Sequence, residues 1–143
     1  MASLLRAALY SDPSIQPIIA AFTTADCCWF SSVRADGRAH LAPIWHVWHD
    51  AAIYVVTQTA SVRAANIRSN PSVSLALPDA MNPIIIEGTA RFAPAMQATL
   101  QPLFEQKYNW DIVTDPGYDV IIEVVPRKIM AWGSHGDARW TID

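Results

Sequence analysis

Apolar positions along the chain change period several times, and each change marks an element. Ile15, Ile18, Ile19 and Phe22 recur at helical spacing, and Ser11-Asp12-Pro13 ahead of them supplies a capping side chain and a first-turn proline. A shorter apolar stretch, Leu4 to Leu9, predicts an earlier helical piece. From Cys27 to Val33 the chain is rich in β-formers, Asp36-Gly37 supplies a hairpin turn, and His40 to Trp48 predicts the returning strand. His49-Asp50 reverses the chain again before Ile53 to Thr57. Connections this short cannot join parallel strands, so the stretch predicts an antiparallel meander.

Beyond Pro71 the pattern predicts a strand over Val73 to Leu77, a proline-rich loop from Pro78 to Pro83, and a strand from Ile84 to Phe92 with Gly88 as a bulge or bend. A helix over Ala95 to Tyr108 carries Met96, Leu100, Leu103 and Phe104 as a packing stripe. Asp115-Pro116-Gly117 is a turn, followed by strands over Val120 to Val125 and Lys128 to Trp132, the latter entered through Pro126. Seven short strands with two or three helices and no repeat predict one domain over residues 1–143. Its fold class is mainly β with helices (α+β), an antiparallel barrel closed or nearly so, with a two-layer sheet as the fallback.

Composition narrows the function classes. Of the 143 residues 52% are hydrophobic and six are tryptophan, enough to fill a core and to suggest a self-association face. A formal net charge of -3 with scattered Lys and Arg supplies no basic field for nucleic acid. The absence of a membrane-length apolar run or a cleavage pattern makes the cytoplasm the expected location. Cys27 and Cys28, being neighbours, read as reduced core thiols of a strand.

One stretch stands apart: Thr57 to Pro71, TQTASVRAANIRSNP. Thr57 ends a strand, Ser61 is placed as an N-cap, Arg63 falls in the first helical turn, and Asn70-Pro71 stops the helix after about two turns. Arginine beside the positive end of a helix is unfavourable unless an anion compensates it. Free amides, threonine hydroxyls and a guanidinium converging there suit a phosphate. A surface helix with a solvated arginine is the competing reading.

The longer segment from Trp29 to Leu77 resembles the pyridoxamine 5'-phosphate oxidase-like, FMN-binding split-barrel family, which also contains flavin and deazaflavin reductases. The resemblance rests on the D-G-R hairpin, a second strand with proline and tryptophan, a strand ending in threonine, and S-x-[KR]-x-x-N-[IL]-x-x-[ND]-P. It extends over about Asp26 to Trp132 and implies a split barrel and a homodimer with the cofactor at its interface. It also implies a phosphate clamp at Ser61 and Arg63, with Thr57 at the strand end and Val62 offering its backbone. Ala42, Pro43, Ile44 and Trp45 match the segment whose main chain runs along the isoalloxazine ring. Trp132 is expected to approach the cofactor from the second chain. Asn66 and Pro71 match architectural positions.

Departures from the oxidase proper fall on the substrate side. Val62 replaces a basic residue, Pro83 stands where a glutamine is expected, and the C-terminal Arg-x-His gives way to DARWTID, with Arg139 a partial match. These argue against pyridoxamine phosphate as substrate. The expectation is an FMN-dependent oxidoreductase acting on an unidentified small molecule, with no catalytic side chain named because the flavin carries the chemistry. A reductase using the deazaflavin coenzyme F-420, and a non-catalytic flavin- or haem-binding protein, are the alternatives. His46 and His49 lie on opposite faces of the expected strand and make no metal site. His40 or His46 is a candidate neighbour of flavin or substrate. Trp132 to Gly136 lacks a nucleophile elbow, and Glu87 and Glu123 read as paired or rim carboxylates.

Overall fold

A computed structural model describes residues 11–141 of the chain; the helical piece expected over Leu4 to Leu9 lies outside them. Asp12 accepts from the Ser14 amide at 2.9 Å and its hydroxyl at 2.6 Å, closing the turn that leads into helix α1, Gln16–Thr24. Strands β1 (Cys28–Val33), β2 (Ala39–Ile44), β3 (Val47–His49) and β4 (Ala52–Thr57) follow, then helix α2 (Val62–Ser69) and strands β5 (Ser72–Ala76) and β6 (Ile84–Phe92). A 3-10 turn, Pro94–Met96, enters helix α3 (Gln97–Tyr108), and strands β7 (Val120–Ala131) and β8 (Ala138–Thr141) end the described chain.

All strand pairs are antiparallel, in the order β2-β1-β5-β6-β7-β4-β3, with β8 added beside β7. The outermost strands of that order, β2 and β3, are separated in the chain only by Trp45 and His46. Ile44 and Val47, three steps apart, can be separated by only about 10 Å, so the sheet's two edges meet and the sheet curls into the expected split barrel. The barrel is filled by Phe30, Ile53, Val55, Leu75, Ile84, Ile86, Ile122 and Val124, and α1 plugs it with Ile15, Ile18 and Phe22. Truncating a plug residue such as Phe22 to alanine costs about 3–5 kcal/mol on general grounds. A second apolar cluster lies outside the barrel wall, where Leu100 and Phe104 of α3 pack on Tyr54 and Val56. Strand β4 thus has both faces covered, and all six of its residues are buried.

The structure departs from the sequence pattern at three places. The strand expected over His40 to Trp48 breaks after Ile44. At the break the His46 amide donates to Tyr108 Oη at 3.0 Å, and its carbonyl accepts from Lys107 Nζ at 2.8 Å, so neither group is available to a ladder. The two strands expected on either side of Pro126 are one continuous β7. Its proline faces Gly88, where the register shifts between Glu87 and Gly88; that is the bulge expected at this glycine, and a Cβ there would lie 2.7 Å from the Val125 carbonyl oxygen. Finally, Ala138 to Thr141, where no strand was expected, pair with Lys128 to Ala131.

One apolar row crosses the outer face of the sheet. Pro43 pairs with Trp29, Trp29 with Ala76, Ala76 with Ile85, and Ile85 with Met130. Trp29 is 40% exposed, and Trp132, two residues beyond Met130 on the same face by strand parity, is 41% exposed.

Candidate functional site

The residues singled out around Thr57 fold into a tight corner. Past β4 the chain turns, the Ser61 amide donating to the Gln58 carbonyl at 3.0 Å. Asp119 pins this turn, accepting from the Thr59 amide at 2.9 Å and its hydroxyl at 2.6 Å. Ser61 is extended (φ -69°, ψ 153°) and caps α2, its Oγ accepting from the Ala64 amide at 3.1 Å. The Thr57 and Ser61 hydroxyls lie 3.1 Å apart. One proton joins them, so whichever way it points, one hydroxyl proton remains to be donated outward.

Arg63 completes the corner. It is only 7% exposed, yet no carboxylate pairs with it among the described residues. Its Nη2 donates to the Ala42 carbonyl at 3.2 Å, its guanidinium carbon lies 4.9 Å from the centroid of the Phe30 ring, and its Nε has no partner. Burial pushes its pKa down. A buried cation with an orphaned donor, next to the positive end of a helix, is an incomplete arrangement that an anion would complete. Asn66 does the architectural work expected of it, donating from Nδ2 to Ser32 Oγ at 2.9 Å and so fastening α2 to β1.

This corner opens into a cleft of about 600 Å³. Pro43, Ile44, Trp45, Thr57, Ser61 and Arg63 line it together, as the sequence suggested. Ala42 takes part through the carbonyl that holds Arg63. Val62, the first residue of α2, is 46% exposed and does not line the cleft; nor does Trp132, which lies at the end of β7 with its amide on the Pro83 carbonyl at 3.3 Å.

The rest of the lining belongs to residues that sequence reasoning passed over. Trp110, Asp115 and Tyr118, from the connection between α3 and β7, line the cleft with Gln58 and Val56. Trp45 stacks on Tyr108, with ring centroids 4.4 Å apart and planes 2° from parallel. Trp110 stands edge-on to Trp45 at 5.9 Å and to Tyr118 at 5.2 Å. Asp115 fixes the Trp110 ring by accepting from its Nε1 at 2.8 Å. The available signal was the density of aromatic and acidic residues in 108–119.

Neither histidine considered as a cofactor neighbour reaches the cleft. His46 is fully buried behind it, Nε2 2.7 Å from the Phe22 carbonyl, and burial drives its pKa to about 4, so it is a neutral donor. His40 sits on β2 opposite Ser32. No group of three or more potential metal ligands occurs among the described residues. Glu123 is a paired carboxylate, held by Arg91 at 2.6 Å and by the Tyr54 hydroxyl at 2.5 Å. Cys28 is a buried thiol whose pKa rises to about 12 through burial, consistent with a core role.

A family model described as pyridoxamine 5'-phosphate oxidase matches residues 15–133. The chain belongs to this family. Solved structures agree on the fold. A pyridoxamine 5'-phosphate oxidase-like protein from Listeria innocua is 17% identical, with a TM-score of 0.68 over 82% of this chain and 97% of its own. An F420 reductase is 21% identical, with a TM-score of 0.60 over 74% of this chain and 90% of its own. The heme storage protein HutZ of Vibrio cholerae is 14% identical, with a TM-score of 0.61 over 89% of this chain and 94% of its own. No curated protein matches the chain in sequence. No helix among the described residues is long and apolar enough to cross a membrane.

Proposed function

We propose that this chain is a flavin-dependent oxidoreductase that holds FMN by its phosphate at the Thr57–Ser61–Arg63 corner and acts on a small molecule other than pyridoxamine phosphate. The observation that carries the reading is Arg63: buried in the first turn of α2, without a carboxylate partner among the described residues, and with an unpartnered Nε. A phosphate ester would satisfy that guanidinium and the remaining hydroxyl proton. Bound there, the flavin would supply the hydride chemistry. The chain's own tasks are to anchor the phosphate, to present the backbone of Pro43 to Trp45 beside the ring, and to exclude water with Trp45.

A homodimer fits the same reading. The outer apolar row begins at Pro43, which also lines the cleft, so a second copy on that row would border the cofactor. Trp132 shares this face, which is where an approach from the second chain would start. A deazaflavin such as F-420 also carries a phosphate-linked tail and would use the same corner. Denaturing the purified protein and identifying the released ligand by mass spectrometry tests the assignment: FMN is expected, and a released deazaflavin or haem would replace it.

A further inference from the structure

The connection between α3 and β7 brings a chemistry of its own to the cleft. Residues 109–119 contain Asp111, Asp115 and Asp119 and no lysine or arginine; Asp119 is engaged by Thr59. Asp115 lines the cleft, and its two hydrogen bonds, from the Trp110 indole at 2.8 Å and the Gly117 amide at 2.9 Å, leave acceptor capacity on both oxygens. No cation pairs with it among the described residues. Around it stand Trp110 and the half-exposed Trp45 and Tyr118, with Trp110 at 75° to Trp45 and 86° to Tyr118. These three rings pack on one another edge to face, and the exposed parts of Trp45 and Tyr118 give the cleft aromatic surface beside that carboxylate, a combination that attracts a positive charge.

The geometry points to a subsite for an organic cation, a quaternary ammonium or pyridinium-type group, formed by Trp45, Trp110, Tyr118 and Asp115. As an assignment of substrate class it rests on the flavin reading above; as a binding site it does not. The cleft thereby combines an anion corner at Arg63 with a cation subsite at Asp115. A substrate whose positive group is held there lies in the same cleft as the cofactor.

The test uses three probes of similar shape: phenyltrimethylammonium, its uncharged isostere tert-butylbenzene, and benzenesulfonate. Binding is read from tryptophan fluorescence of the full chain, with and without saturating FMN. Phenyltrimethylammonium should bind at least about tenfold more tightly than the other two, and Asp115→Asn and Tyr118→Ala should each weaken it roughly three- to thirtyfold, the scale of a partly desolvated cation contact. Tyr118 is 41% exposed, so its truncation leaves the fold intact. Equal binding of all three probes, or an unchanged affinity in both variants, overturns the subsite. Loss of cation binding on saturation with FMN overturns the substrate assignment, because the two ligands would then share one place. If the protein fails to bind FMN while still selecting the cation, the flavin reading falls and the subsite stands.

Discussion

The two walls of the cleft are built in opposite ways. The Arg63 corner comes from seven consecutive residues, Thr57 to Arg63, at the junction of a strand and a helix, shaped by a cap and a turn and fastened from outside by Asp119 and the Ala42 carbonyl. The facing wall is assembled at long range: Trp45 follows β2, Tyr108 closes α3, and Trp110 and Tyr118 belong to the connection after it. The first has most of its bonds within a few residues of one another. The second stays in place only as long as the packing behind it holds, and that packing centres on His46, Lys107 and Tyr108.

Acid should separate the two walls with the largest effect. The His46 pKa falls from its ordinary 6.5 to about 4 on folding, so between those values the unfolded chain binds the extra proton and the folded chain does not. Stability from this group is complete above pH 6.5 and is lost as pH falls toward 4, by about 3 kcal/mol in all. His46→Gln should flatten that part of a stability-against-pH curve measured by urea unfolding. Tryptophan fluorescence should report loosening of the Trp45–Tyr108 wall over the same range. A curve of equal slope in the variant would remove His46 from this role.

Next comes Arg63→Ala, which strikes the corner alone. It should lower FMN affinity about ten- to a hundredfold, the loss of a charge-assisted contact worth roughly 1.5–3 kcal/mol. Arg63→Lys should fall between, keeping the charge without the planar fork. Ser61→Ala removes both the cap and a hydroxyl of the corner. It should cost about 1 kcal/mol of stability by thermal unfolding and weaken FMN severalfold. Cys27→Ser sits at the bottom of the scale, with flavin titrations expected to match those of the unsubstituted protein.

The same contrast explains what was legible in the sequence. The β1–β2 and β3–β4 hairpins, the short helix after Thr57, the Gly88 bulge and the Ser61 cap are all decided within a few residues, by turn chemistry, capping and period, whereas the single meander expected there splits into those two hairpins. The break at Trp45-His46 is decided by Lys107 and Tyr108, which bond the His46 backbone from 61 and 62 residues away. Nothing in local period announces that. The continuity of β7 through Pro126 depends likewise on Gly88 across the ladder, where the shifted register accommodates a residue without an amide proton. Trp110 and Tyr118 carry no local signal of their place, because composition cannot tell a ring in a core from a ring on a cleft wall. Trp132 was placed near the cofactor through the resemblance alone, and within this chain it lies outside the cleft.

The most direct measurement compares FMN with riboflavin, which lacks the phosphate, on the unsubstituted protein and on Arg63→Ala by fluorescence titration. If the corner holds the phosphate, the unsubstituted protein prefers FMN by at least about tenfold and the variant loses most of that preference. Equal affinity for the two flavins in the unsubstituted protein, or an undiminished preference for FMN after Arg63 is removed, would contradict it.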